Sequence, residues 1–505
     1  MKKLNSILFF TVILLISGSC YSSTSSGSEA SFLDSVNNLF GSIVGGYAPV
    51  LFYELPFIKL PMILFIMVSG GVFFTFKYGF INIRLFKHSI DVIKGKYDNP
   101  DDEGEISHFQ ALTSALSATV GLGNIAGVAV AIQLGGPGAI FWLWLVAFFG
   151  MSMKFTSCSF AQYYRRVSSD GSVLGGPMVY LEEAFKEKFN LFFIGKFLGV
   201  FYAVMTIMAS FGGGNLFQGN QTFELLSSEF PSLSDKPVIV GVVLAVFSGM
   251  VLLGGIKRIG EVTSKLVPAM CLFYVGSCLA IILGNLSQVP ALIGSIFTEA
   301  FSPSAIYSGG LIGVIIQGVK RASFSNESGL GSAAIAHAAA KTKEPIREGI
   351  VAMIGPFIDT IVVCTMTSLA ILITGAHLDK SVAGKGAQIT SLAFSSLGEY
   401  MPLLLLIATI IFAYSTIISW SYYGEKGTEY LFGKKMIVPY RIIYCLVIVL
   451  GPVLKLGHVI DFSDLMLLSM AFPNILGMIA LSPLVKEKLD DYVRRYKAGE
   501  MPIYK

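Results

Sequence analysis

Long apolar runs of about twenty residues make up most of this chain, and they constrain its backbone more than any single motif. A run of that length matches the roughly 30 Å of hydrocarbon that a helical span must cross. In lipid, every backbone N–H and C=O must find a partner inside the protein. Eleven such spans can be read, at about 60–80, 109–133, 138–163, 194–220, 238–254, 266–286, 305–340, 348–374, 399–424, 438–453 and 463–483. Of 505 residues, 54% are hydrophobic and 13% charged, where an ordinary soluble chain carries roughly a quarter charged. That deficit excludes a soluble enzyme, a disordered protein and a nucleic-acid-binding domain. The fold class expected is an all-α polytopic membrane protein.

Residues 1–20 open with Met1, Lys2 and Lys3, continue through an apolar core from Ile7 to Ile16, and end on Ser17, Gly18, Ser19 and Cys20. This is the order of a secretory signal peptide, with a core too short for a comfortable span; cleavage or retention as an anchor both remain open. The residues before Cys20 loosely resemble a lipoprotein cleavage site. Residues 21–59 then form an extracytoplasmic segment, 60–104 the first span and its cytoplasmic loop, 105–483 a ten-helix core, and 484–505 a cytoplasmic tail.

Loop charge tests this arrangement independently. With the mature N-terminus outside, the inner loops and tail hold about 25 Lys and Arg, the outer segments about 5, as the positive-inside rule requires. The cysteines Cys20, Cys158, Cys271, Cys278, Cys364 and Cys445 have no metal-site spacing, and all but Cys20 read as buried thiols in or beside apolar stretches. The five His are scattered.

Two spans are interrupted. In 109–133 the run Gly121-Leu122-Gly123-Asn124 places two glycines and a polar amide near mid-span. That is either a break or, with Gly123 and Gly127, a close-packing face. In 305–340 the run from Gly318 to Gly331 contains Lys320, Arg321 and Glu327. Each such charge costs about 2.5–3.5 kcal/mol at membrane depth, so it marks a protein-lined or watery interior. A simple loop here would add a crossing and reverse the side of every later loop, against the charge count, so a broken helix is favoured. Setting aside 60–80 leaves ten spans whose first and sixth are interrupted. Five plus five with a break opening each half is the pattern of an inverted-repeat transporter, with its site between the breaks. There, freed N–H groups suit a carboxylate and freed carbonyls suit a dehydrated cation.

The stretches GLGNIAGVAVAI (121–132), GGPGAIFWLWLVAFFGMSMKF (135–155), GGPMVYLE (175–182), FGGGNLFQGN (211–220), GGIKRIGEV (254–262), GVKRASFSNESGLGSA (318–333), GPFIDTIVVCT (355–365) and FAYSTIISWSYYGEK (412–426) resemble the alanine or glycine:cation symporter family of bacteria and archaea. The resemblance implies the inverted-repeat fold of the sodium-coupled leucine transporter, preceded by one span, in the cell (inner) membrane. It also implies uptake of alanine or glycine driven by sodium, with no cofactor, sodium as coupling ion, and no obligatory protein partner. The alternative is a carrier of serine or D-alanine, or one coupled to protons.

By the same resemblance the substrate site comprises Gly121, Leu122, Gly123, Asn124, Gln218, Phe324, Ser325, Asn326 and Thr416. One sodium site uses carbonyls around Ser117 and Val120 with the hydroxyls of Ser415 and Thr416. A second uses the Thr119 carbonyl and the Asn124 amide, oxygen donors suited to a hard cation. Departures from the family pattern are Leu122 for its usual Thr, Ala322 for Gly, Ser323 for a bulky apolar residue, and Ser328 for Ala. Leu122 is expected to alter pocket size. Lys154, Lys320, Arg321, Glu327 and Asp359 read either as internal ion pairs holding the broken helix or as participants in coupling. A nucleotide-driven pump would want a GxxxxGK[ST] stretch, an embedded enzyme an HExxH-type cluster, and a channel a repeated filter motif. None of these is visible.

Overall fold

In the computed structural model, which describes residues 32–57, 59–301, 310–454 and 456–504, the apolar runs fold as helices. The proposed leader at 1–20, with Cys20, lies outside the described residues. Among those described, seven helices are long and apolar enough to cross a membrane, and eight when one bent pair counts as a span. The expected spans near 60–80 and 238–254 are the shorter apolar helices Met62–Lys77 and Pro237–Leu252.

The segment expected to be merely extracytoplasmic contains a helix, α1 (Phe32–Leu51). It packs along the last helix, where the Ser469 hydroxyl donates to the Tyr47 hydroxyl at 3.0 Å. A turn with the Glu54–Pro61 bridge leads into α2 (Met62–Lys77). Gly70 and Gly71 let α2 close on its neighbours: a Cβ at Gly71 would sit 3.0 Å from the Phe149 Cβ.

The first interrupted span is a true break. Helix α3 (His108–Thr119) starts on a capping box between Ser107 and Gln110, which satisfies donors that an uncapped helix start leaves orphaned. At Val120 the backbone turns extended (φ −76, ψ 91). After a π turn at Gly123–Gly127, α4 (Val128–Gly135) resumes, bent by 50° from α3. Helix α5 (Gly138–Tyr163) follows, then α6 (Phe192–Phe211), a π turn at Gly212–Leu216, and α7 (Phe217–Glu229).

The second interruption is also a break. Helix α8 (Gly310–Asn326) ends where Glu327 (φ 56), Gly329 (φ 84) and Gly331 (φ 83) take left-handed backbone, and the short α9 (Ala333–His337) continues beyond. Positive φ at a glutamate is uncommon and persists only where the surroundings hold it. Helix α10 (Pro345–Ala352) passes through a π segment at Phe357–Cys364 into α11 (Thr365–Thr374). The long α12 (Met401–Phe432) and α13 (Leu456–Lys497) complete the core around the breaks. At 42 residues, α13 is about 63 Å long at 1.5 Å per residue, twice the hydrocarbon thickness.

Two of the scattered histidines meet. His108 and His337 each direct Nδ1 at the buried Glu348 carboxylate, so one acid ties together α3, α9 and α10. Cys158, Cys278 and Cys364 are buried thiols, while Cys271 and Cys445 are half-buried.

Candidate functional site

The first break faces a small cavity, lined by Ala118, Thr119, Gly121, Gly123, Gly213, Gln218, Phe324, Trp420 and Leu467, with Phe324 supplied by the last turn of α8, just before the second break. About 10 Å³ of it is open to the centre of a water-sized sphere, enough for one water. Backbone therefore makes much of the wall, and glycine is what lets it come close. A Cβ on Gly121 would fall 2.4 Å from the Thr416 Oγ1, and one on Gly214 would fall 2.3 Å from the Trp420 Cβ.

The carbonyls left free at the end of α3 meet donors from α12. Thr416 Oγ1 donates to the Ser117 carbonyl at 3.1 Å, and Trp420 Nε1 to the Ala118 carbonyl at 3.2 Å. In return the Ser117 hydroxyl donates to the Ser415 carbonyl at 2.7 Å. The Ser415 hydroxyl donates back to Phe412 of its own helix at 2.9 Å. Ser117, Ser415 and Thr416, which the resemblance assigns to a first ion site, thus come together at the seam of α3 and α12.

Gln218 joins the two π turns. Its Nε2 donates to the Gly213 carbonyl at 2.8 Å, and its Oε1 accepts from the Leu122 N–H at 3.4 Å. The Leu122 side chain is fully buried and does not line the cavity, so the bulk expected to alter pocket size lies elsewhere.

Asn124, Ser325 and Asn326 also stand outside the cavity wall. The Asn124 side-chain oxygen accepts from the Gly121 N–H at 2.9 Å, closing the break locally. Its Nδ2 reaches Asp359 Oδ1 at 2.6 Å and Ser325 Oγ at 3.1 Å. The hydroxyls of Ser325 and Thr360 donate to Asp359 Oδ2 at 2.6 and 2.7 Å, and Asn326 Nδ2 donates to Thr360 Oγ1 at 3.0 Å. A second oxygen-rich cluster, buried throughout, therefore lies where the π turn at Gly123–Gly127, the end of α8 and the π segment between α10 and α11 converge. The Thr119 hydroxyl is turned back to Leu116 of its own helix at 3.2 Å.

Phe324 closes one end of the cavity, edge-on to Phe217 with ring centroids 5.0 Å apart. Above it the Arg321 guanidinium lies 5.4 Å from the ring centroid and pairs with Asp464, which also takes Lys320 Nζ at 3.2 Å. Of the five intramembrane charges, Lys320 and Arg321 thus share a partner on α13. The Glu327 carboxylate accepts from the Ser332 hydroxyl, and Lys154 donates to the Asn326 carbonyl.

Sequence reasoning did not place Asp359, Thr360, Trp420, Leu467, Gly213 or Asp464 at these sites. Asp359 carried a signal as a charge inside an apolar run, and Gly213 as part of a triple glycine. Leu467 and Trp420 are ordinary span residues until the helices pack.

Comparison with known proteins agrees with this architecture. The pattern of the sodium:alanine symporter family matches residues 51–505. The chain is 44% identical to the sodium/alanine symporter AgcS of Methanococcus maripaludis, over 85% of this chain and 93% of that one. It is 33% identical to the probable sodium/glutamine symporter GlnT of Bacillus subtilis, over 88% and 90% respectively. Among solved structures, MhsT in complex with L-phenylalanine matches with a TM-score of 0.52 at 14% identity, over 75% of this chain and 98% of that one. At that identity the likeness speaks for the fold.

Proposed function

This chain belongs to the sodium:alanine symporter family, and we propose that it moves alanine or glycine inward with sodium by alternating access around the cavity between its two helix breaks. The observation that carries this reading is the convergence of Gly121, Gly123, Gln218 and Phe324 on one cavity beside the Thr416–Ser117 seam. Ten spans in two inverted halves, with one span before them, provide the scaffold. The roughly 25 to 5 loop-charge bias supports a mature N-terminus outside and a cytoplasmic C-terminus.

Sodium at the seam takes the Ser117 and Val120 carbonyls with the hydroxyls of Thr416 and Ser415. It needs the Ser415 hydroxyl to rotate from Phe412, a single χ1 change. A second ion takes the Asp359 carboxylate with the hydroxyl oxygens of Ser325 and Thr360; use of the Asn124 amide oxygen, which the resemblance assigns to this ion with the Thr119 carbonyl, needs that amide to turn, since it presents Nδ2 to Asp359. The substrate carboxylate takes N–H groups of Gly121–Gly123 in place of the Asn124 and Gln218 oxygens that hold the Gly121 and Leu122 N–H groups, its ammonium meets backbone carbonyls and the Gln218 Oε1 so released, and Phe324 caps the side-chain end. A cavity this narrow must widen to admit even alanine, and side-chain movement of Phe324 and Leu467 opens it at least backbone cost. Serine and D-alanine are the alternative substrates, and a proton the alternative coupling ion.

Counterflow uptake in proteoliposomes tests the reading. Radiolabelled small amino acids are offered with sodium, lithium or proton gradients. Saturable uptake of alanine or glycine under sodium is expected, and no uptake of any of them under every gradient overturns it.

A further inference from the structure

Among the five intramembrane charges singled out above, Lys154 is a buried lysine that joins no described ion pair, and its surroundings are unusual. It sits on α5, 2% exposed, and its ammonium donates to the carbonyl of Asn326, the last residue of α8, at 3.1 Å. A helix C-terminus carries about half a negative charge, and a cation there is stabilising, most of all when partly buried. The approach is built in. Four residues earlier on the same face of α5, Gly150 admits the next residues of the break, since a Cβ there would fall 2.4 Å from the Ser328 Cβ. Across the ammonium, Gly355 leaves room: a Cβ on it would lie 3.1 Å from Lys154 Nζ. The Asn326 that it holds donates Nδ2 to Thr360 Oγ1, which in turn donates to Asp359 Oδ2, and Glu327 is the next residue along the chain, yet among the described ion pairs Lys154 is joined to neither carboxylate.

We infer that Lys154 is a positioning residue for transport: a fixed intramembrane charge that caps the broken end of α8 and balances the Asp359 cluster beside it. The cap holds the three residues Phe324, Ser325 and Asn326 at the helix end, so it acts on substrate closure. The charge opposes a second cation near Asp359, so it acts on sodium affinity. Removing it is expected to separate the two effects, lowering the maximal rate while tightening sodium.

This inference rests on the sodium-coupled reading above, and the test distinguishes the two. Purified wild-type protein, Lys154→Gln, Lys154→Arg and Lys154→Gln/Glu327→Gln are reconstituted, and initial uptake of alanine is measured against sodium concentration. Wild-type uptake that ignores sodium overturns the coupling reading itself. With wild-type dependence present, Lys154→Gln is expected to lose at least tenfold in maximal rate and to lower half-saturating sodium at least threefold. Lys154→Arg should keep wild-type half-saturation even with a reduced rate. The double variant, which removes a nearby negative charge as well, should return half-saturation toward wild type. The inference is overturned by wild-type rate and half-saturation in Lys154→Gln, or by a loss of rate with half-saturation unchanged in both neutral variants. Should Lys154→Gln fail to fold, an Arg variant with altered half-saturation overturns it equally.

Discussion

The Thr416 hydroxyl donates to the Ser117 carbonyl across 3.1 Å, joining α12 to the last turn of α3 at the point where the first helix breaks. A carbonyl at a helix end has lost its intrahelical partner, so the bond both satisfies it and places two oxygens side by side. Thr416→Val keeps the shape and removes one oxygen. Half-saturating sodium should rise about tenfold, equivalent to about 1.4 kcal/mol, as read from uptake against sodium concentration. An unchanged sodium curve would place the ion elsewhere.

The glycines of the cavity differ in what a methyl group would meet. Gly121→Ala drives its Cβ to 2.4 Å from Thr416 Oγ1, whereas Gly213→Ala meets the far end of Leu467 at 2.9 Å. Uptake should be lost in the first and retained in part in the second, with both proteins present in the membrane at wild-type level.

Gln218 bridges the Gly213 carbonyl and the Leu122 N–H. Gln218→Ala should abolish uptake without removing the protein from the membrane. Normal transport by this variant would end its assignment to the substrate site.

Arg321 and Asp464 form a buried ion pair beside Phe324, joined by the half-buried Lys320. Breaking a buried pair by deleting one partner costs about 3–5 kcal/mol. Asp464→Ala, which strands two cations, should lower the thermal unfolding temperature in detergent more than Arg321→Ala does. The double variant should recover part of the loss, and strictly additive losses would mean that the pair contributes no coupling.

Helix existence was legible because it depends on local chemistry. The break at Gly121–Asn124 and the polar interruption that begins at Lys320 announce themselves as residues that lipid and a continuous helix both reject, and the structure breaks the chain at the first and, in the second, from Glu327 onward. Leu122 shows the limit: its type was readable as a departure, but its direction was not. The side chain turns into the core, away from the cavity. Ser415 is similar, since a hydroxyl in a helix can face a neighbour or bond back to its own carbonyl, and here it bonds back to Phe412.

What the sequence determined by itself was an all-helical membrane protein broken at two places, because apolar run length, glycine and misplaced charge act within a few residues of one another. What only the tertiary structure decided was partnership. It joined Arg321 to Asp464 rather than to Glu327, His108 and His337 to Glu348, and Asn124 to Asp359 across 235 positions of chain. A buried polar group takes whichever partner packing brings within about 3 Å, and that distance is set by helices meeting in space, which no local pattern encodes.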